Sequence, residues 1–570
     1  MTFRIGAVAL LALSVSATQA PQVFRGTAVD ALTGQPLANV VVRLDIANTS
    51  GPRPSTPTRV TTGSSGEFVL PLPGPGLYAL TGTRAGYSPS NYGQKTIQSP
   101  AVWLPIAITE SRQGLVLRMW PVARIGGVVR DETGTPIPNA RVQLLRLDSL
   151  GARPYFLVSA SRVTDGDGRY EYELSSGTFV VATAPVVFTN PTAPAIFYPG
   201  VPAISLAARF ELRPGDQHLA IDFVRRLVAG GVVKGRIDGV LPPGELQLQL
   251  VRAEPYLPDS SISIATSIVD KDGRFTFPPV VPGPYVIRGV LYPTWDKSKD
   301  GEPELNGGSG PVTLPGQPAH VLGVPTDEPT VWLEAPVTVP PLDVAAITEI
   351  SPRLQPGVRV AGRIEFVGTT PAPDPAVFPT RAVSVNSLER RFSDVFIAPR
   401  IESDRTFRTV GMPPGRYQVG MTQSFPGWTL QSIRSGATEI LGRGIDLSSD
   451  VSDVVITFTD KPTRLIGSIT DGQNALARDA RLVIFPVDDS FWTVTGSRLA
   501  SRVRVVAPTP PPSFAVTLWP GTYFVAAVTG DLPESWETPE FLRSLVPSAV
   551  RVTVEPGSTS TVNPQAKRLR

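Results

Sequence analysis

Apolar and polar residues alternate with a period of two along much of the chain. Val40, Val42, Leu44 and Ile46 alternate with Arg43 and Asp45. Val142 and Leu144 alternate with Arg141 and Gln143, and Leu246, Leu248 and Leu250 with Gln247 and Gln249. One face is apolar and the other polar, which predicts half-buried antiparallel strands. Helical periodicity is nearly absent. The exception is TPEFLRSL at 538–545, with Thr538 as N-cap and Pro539 at the first helical position.

The alternation is organised into a unit that occurs five times. The copies read GSSGEFVLPLPGPGLYAL (63–80), DGDGRYEYELSSGTFVV (165–181), DKDGRFTFPPVVPGPYVI (270–287), ESDRTFRTVGMPPGRYQV (402–419) and PPPSFAVTLWPGTYFV (510–525). Each holds two aromatics nine or ten residues apart: Phe68/Tyr78, Tyr170/Phe179, Phe275/Tyr285, Phe407/Tyr417 and Phe514/Tyr523. The small polar residues supply a turn, the first aromatic opens a strand, and Pro-Gly (Ser-Gly in the second copy) reverses it, so each copy predicts a β-hairpin. Upstream of each stands an opening strand: FRGTAVDALTG (24–34), ARIGGVVRDETG (123–134), GGVVKGRIDG (230–239), VRVAGRIEF (358–366) and RLIGSITDG (464–472). Downstream, GLVLRMW, HLAIDFV, VAAITEI, DVVITFT and AVRVTVE read as closing strands. Many short strands between regular turn signals predict β-sandwiches. The expected fold is all-β, a beaded array of about five small antiparallel sandwiches. Their expected bounds are 21–120, 121–226, 227–356, 357–461 and 462–570, with a long exposed loop over 291–330 in the third.

Composition narrows the function. The 570 residues carry a net charge of +3 and no basic run, which argues against nucleic acid. There is no cysteine, so disulfides, thiolate metal sites and cysteine nucleophiles are excluded. Only seven of the 52 basic residues are lysine; with the lack of cysteine, this points to a bacterial source. Residues 1–20 have one basic residue, Arg4, an apolar run from Ile5 to Leu13, and then small residues, the pattern of an export signal. No later segment reaches the roughly 18 apolar residues a membrane helix needs, so no span is expected after cleavage. The expected location is the periplasm or the cell exterior.

Candidate chemistry is sparse. The two histidines, His218 and His320, lack the spacing of zinc ligands, and no nucleophile elbow is present. Asp165-Gly-Asp167-Gly168 and Asp270-Lys-Asp272-Gly273 resemble the start of a calcium loop. The twelfth loop positions are Ser176 and Val281 rather than Glu, so turns are the better reading. Lys234 is the one lysine near an opening strand, and a crosslink from it to asparagine is not expected. No catalytic residue, metal or cofactor is expected. Tyr198, Trp295, Trp428 and Trp536 fall in Pro/Gly-rich loops. There they could stack on sugar rings or cover the open end of a sandwich, and covering is the better-supported role. Trp120, Trp332 and Trp519 stand at strand ends, as core or inter-module contacts.

The combination of an opener, TG-x-P, DG-x-[FY] and PG-x-Y, above all in GTAVDALTGQPLANVVVRL and GGVVRDETGTPIPNARVQL, resembles the carboxypeptidase regulatory-like domain. That domain is a prealbumin-like sandwich of about seven strands, grouped with carbohydrate-binding-like folds. The fourth copy lacks TG-x-P, and the fifth has Pro-Pro-Ser where the DG turn should be. Taken with the export pattern and the sparse chemistry, the resemblance leads to the expectation of a secreted, non-catalytic multi-module protein with a binding or structural role at the bacterial envelope. The alternatives are a carbohydrate-binding protein using its loop aromatics, or an accessory subunit of an envelope enzyme or transporter. The implied partners are a polysaccharide or envelope proteins.

Overall fold

The computed structural model describes residues 23–46, 58–72, 76–94, 96–97, 104–106, 111–150, 153–183, 196–225, 230–253, 265–293, 329–340, 347–375, 382–389, 401–421, 425–473, 475–477, 480–492, 501–506, 513–530 and 538–569, with the single positions 378, 392, 399, 532 and 536. The expected export signal, most of the 291–330 loop, Trp295 and His320 lie outside these residues. Two compact units are present: 23–94 with 104–120, and the described residues from 121 onward.

The chain is all-β. Among the described residues, ten sheets fall in chain order into five pairs, spanning 23–121, 123–225, 232–356, 360–459 and 464–568. Each pair encloses a core of its own. The predicted helix is present as Pro539–Leu545; the Thr538 hydroxyl accepts the Phe541 amide at 3.3 Å.

The repeated aromatic segment is not a hairpin. Glu67–Pro71, which carries Phe68, pairs with the opening strand Val23–Asp30 in one sheet. Gly76–Thr83, which carries Tyr78, pairs with Val41–Ile46 in the other. The same division separates the two aromatics in the other four copies. The chain therefore crosses from one sheet to the other between the two rings, which meet the core from opposite sides. In four copies prolines precede the glycine, and a residue without an N–H cannot continue a ladder; the second copy, with Ser175-Ser176 before Gly177, crosses without one. Gly177, Gly283, Gly415 and Gly521, two residues before the second ring, have φ of 154°, 144°, 157° and 149°. These are values side chains seldom tolerate.

The first ring has a fixed partner. Phe68, Tyr170, Phe275, Phe407 and Phe514 stand opposite Gly26, Gly127, Gly235, Gly362 and Gly467 of the opening strands. A Cβ at any of these glycines would come within 3.0 Å of a closing-strand carbonyl oxygen, that of Leu115, Ile221, Ile350, Val454 or Val562 respectively. Close approach of opening and closing backbones therefore requires glycine, and in each copy the aromatic fills the cross-strand position beside it. The second ring is anchored at its far end. The hydroxyls of Tyr285, Tyr417 and Tyr523 donate to the carbonyls of Val281, Pro413 and Trp519, each four residues back, at 2.7, 2.6 and 2.9 Å.

One closing strand differs from the sequence reading. AVRVTVE, present as Val550–Val554, pairs with the return strand Gly521–Thr529. The parallel partner of the fifth opening strand is Thr559–Thr561. A turn at Glu555–Ser558, with Gly557 at φ 68°, separates the two. Val550–Val554 thus joins one sheet and Thr559–Thr561 the other, before Ala566–Arg568 returns to the first beside Gly521–Thr529. The first sandwich divides Leu104–Ile106 and Arg112–Pro121 in the same way.

Candidate functional site

The Asp-Gly turns are closed internally. Asp165 Oδ1 accepts the amides of Asp167 and Arg169 at 2.9 and 2.8 Å, and Asp270 Oδ1 those of Asp272 and Arg274 at 2.9 and 2.8 Å. Their carboxylates hold the turn, as aspartates in turns commonly do. Among the described residues no group of three or more acidic or histidine side chains converges as a metal site would require. The His218 ring lies 5.6 Å from Phe210. Lys234 Nζ forms an exposed ion pair with Glu349 at 2.7 Å.

The three described loop aromatics pack inward. Trp428 is 5% exposed and belongs to the fourth core, 4.9 Å from Phe366. Phe366 also meets Phe378, Phe425 and Phe458 at 5.3–5.8 Å. Buried to that degree, Trp428 has no open face for a sugar ring. Tyr198 is half-buried between Phe210 and Phe223, at 5.6 and 5.8 Å. Trp536 is half-buried against the outer core of the fifth sandwich. Proline and glycine around these rings shape turns that fold the ring back. Loop composition alone does not show that direction.

Side chains gather instead where successive sandwiches meet. Tyr292, at the end of the third sandwich's strand Gly283–Leu291, is buried in the core of the fourth. Burial there pushes its hydroxyl well above the usual tyrosine range. Trp332 Nε1 donates to the Pro356 carbonyl at 3.1 Å, and its ring lies 5.8 Å from Phe392.

The next junction centres on Arg502 of the fifth sandwich, which is 7% exposed. Its Nε donates to the Leu441 carbonyl of the fourth sandwich at 3.2 Å. Its Nη1 donates to the Pro520 carbonyl and the Tyr523 hydroxyl of the fifth, at 3.1 and 3.4 Å. The guanidinium lies over Phe491 and Trp519, 4.8 and 5.5 Å from the ring centroids. A planar, always-charged group with five donors suits such a crossing, because it can bond to backbone on two sides and stack on rings at once. Trp519 packs against the fourth core. Sequence reasoning placed Trp332 and Trp519 at core or inter-module contacts, and both lie at a junction. It missed Arg502 and Tyr292, which carry no local motif.

Above this junction is a cleft of about 620 Å³. Arg363, Glu365, Val455, Thr457, Gln431, Ser432 and Arg434 form one wall, from three adjacent strands of the fourth sandwich. Phe491, Arg502 and Pro520 form the other. Arg363 is paired with Glu365 at 2.7 Å. Glu439 Oε1 accepts the amides of Ile433 and Leu441 at 3.1 and 3.0 Å. Arg434 and Arg502 approach Glu439 only to 3.9 Å.

This architecture defines an all-β protein whose sheets pair in chain order. More particularly, residues 23–105 match the carboxypeptidase regulatory-like domain, in the first of the two copies whose motifs carry that resemblance. No curated protein matches the chain. Among solved structures, the Bacillus anthracis TIE protein is similar at 11% identity and a TM-score of 0.15, over 75% of this chain and 69% of that one. A streptococcal ancillary pilin follows at 12% and 0.18, over 59% of this chain and 99% of that one. The minor pilin GBS52 of Streptococcus agalactiae gives 11% and 0.21, over 39% and 99%. Scores this low say nothing of function.

Proposed function

We propose that the chain is a non-catalytic, multi-module structural protein, exported to the periplasm or cell exterior of a bacterium. Its modules run over 21–120, 121–226, 227–356, 357–461 and 462–570. The observation that carries this reading is the junction around Arg502, where one buried side chain bonds to both neighbouring sandwiches. The repeated residues support it too. The glycine, the two aromatics and the turn aspartates each have a packing or backbone role, and none converges on a reaction centre. Loop aromatics are packing elements in this reading, and an envelope protein is a better-supported partner than a polysaccharide held on their faces.

Stretching single full-length molecules tests it. The sandwiches should unfold in successive steps, each releasing about 33–36 nm per hundred residues. A single all-or-none rupture of the whole chain would contradict modularity. Hydrolysis of a peptide, ester or glycoside by the purified chain would contradict the non-catalytic role. Retention in the cytoplasm would contradict export.

A further inference from the structure

The cleft over Arg502 has a surplus of positive charge. Its lining holds three arginines and two glutamates. Glu365 is taken by Arg363, and Glu439 Oε1 is held by two backbone amides. Glu439 keeps its charge and lies 3.9 Å from both Arg434 and Arg502, so one carboxylate is shared between two guanidiniums and one positive charge is left over. Arg502 is more than nine-tenths buried, so the site has a fixed cationic floor rather than a mobile surface charge.

Two features indicate what could enter. The pairing of Thr429–Ser435 with Val451–Thr459 slips between Leu430 and Ser432, and both Gln431 and Ser432 line the cleft. Such bulges re-aim side chains and are common beside binding sites. The wall is also the face of three adjacent strands, Val360–Val367, Val451–Thr459 and Thr429–Ser435. Their backbone groups are committed to the ladders, so an extended peptide has no free edge to extend here. Recognition must come from side-chain hydroxyl, amide and guanidinium groups. That chemistry suits a hydroxyl-rich ligand bearing a carboxylate, and the volume falls within the usual range of ligand sites, roughly 300–1,000 Å³.

We propose that this cleft binds an acidic oligosaccharide, a short uronate, with its carboxylate at Arg434 and Arg502 and its hydroxyls on Gln431, Ser432 and Thr457. Calorimetry on the full chain tests this with a galacturonate trimer, a neutral galactose trimer and triglutamate. The uronate should bind, and the neutral trimer should bind at least about tenfold more weakly, as expected for loss of a charge-assisted contact. Arg434 is exposed, so Arg434→Gln should keep the fold and lose about tenfold in uronate affinity. Ser432→Ala should weaken the uronate to a smaller extent. Four results would overturn the proposal: no uronate binding, equal binding of the neutral trimer, an unchanged Arg434→Gln variant, or triglutamate binding as tightly as the uronate.

Discussion

The first and last sandwiches share a frame but differ in what covers one sheet. In the first, Tyr78 stands opposite Ile46 in the register that joins Val41–Ile46 to Gly76–Thr83. In the last, Tyr523 stands opposite Pro486 in the corresponding register. Counting back from these pairs, Arg43 corresponds to Val483 and Asp45 to Phe485. Arg43 is exposed and forms a 3.1 Å ion pair with Asp45 on the outer face. Val483 and Phe485 are fully buried, in a second core with Trp492, Leu542 and Leu545, the last two on the helix Pro539–Leu545. The inner faces are alike: Val42 and Leu44 in the first, Leu482 and Ile484 in the last, all nearly or fully buried. The glycine–aromatic pair and the crossing between sheets specify the sandwich. The outer face is free to meet water or a helix, and the sequence changes from alternation to a continuous apolar run accordingly.

The largest expected effect breaks this comparison directly. Phe485→Ala should cost the fifth sandwich about 3–5 kcal/mol, whereas Asp45→Ala in the first should stay within about 1 kcal/mol, because that pair faces solvent. Denaturant midpoints followed by hydrogen exchange in Gly521–Thr529 and Gly76–Thr83 measure the two; equal costs would mean that the helix does not build a second core.

The shared frame predicts equal losses. Gly26→Ala and Gly467→Ala should each cost about 1–3 kcal/mol, because a Cβ meets a backbone oxygen that cannot yield without moving the closing strand. If thermal unfolding shows one variant neutral, the two frames are not equivalent. Tyr523→Phe should cost about 1–2 kcal/mol, because it removes both the bond to the Trp519 carbonyl and the acceptor for Arg502 Nη1. Tyr285→Phe should match it.

The smallest effect is one of pH. Burial raises the Asp30 carboxyl in the first sandwich, but hydrogen bonds from the Thr33 amide, the Tyr87 hydroxyl and the Leu32 amide outweigh it and hold it below its ordinary value. A depressed carboxyl contributes stability above its unfolded value, about 3.9, and that stability is lost as pH falls through the folded value. Acid titration should therefore weaken the first sandwich below about pH 4, and Asp30→Asn should flatten that part of the curve. An unchanged acid limb in the variant would remove Asp30 from the account.

The sequence showed strand content, the five copies and the helix after Thr538, because those rest on local signals: alternation, turn residues and caps. It also showed the second rings, which stand two residues after a glycine in every copy. It misled where pairing depends on partners distant in the chain. The aromatic segments read as hairpins because a turn between two strands has the same composition whether the chain returns along one sheet or crosses to another. The opening-strand glycines were present in every copy, and their constant place opposite the first ring was a usable signal that was not drawn on. Trp428 showed a loop environment but not its direction. Arg502 showed nothing, since its role exists only once two sandwiches are placed together.

That junction is where the account is most exposed to test. Arg502 is held to bind the fourth sandwich to the fifth through the Leu441 carbonyl on one side and Pro520 and Tyr523 on the other. Hydrogen exchange on the full-length chain, wild type against Arg502→Gln, measures this directly. The account predicts faster exchange at once in 438–443 and in 519–525, by at least about tenfold, as expected when a buried charged anchor is removed. Faster exchange in 519–525 with 438–443 unchanged would contradict it, and would make Arg502 a residue of the fifth sandwich alone.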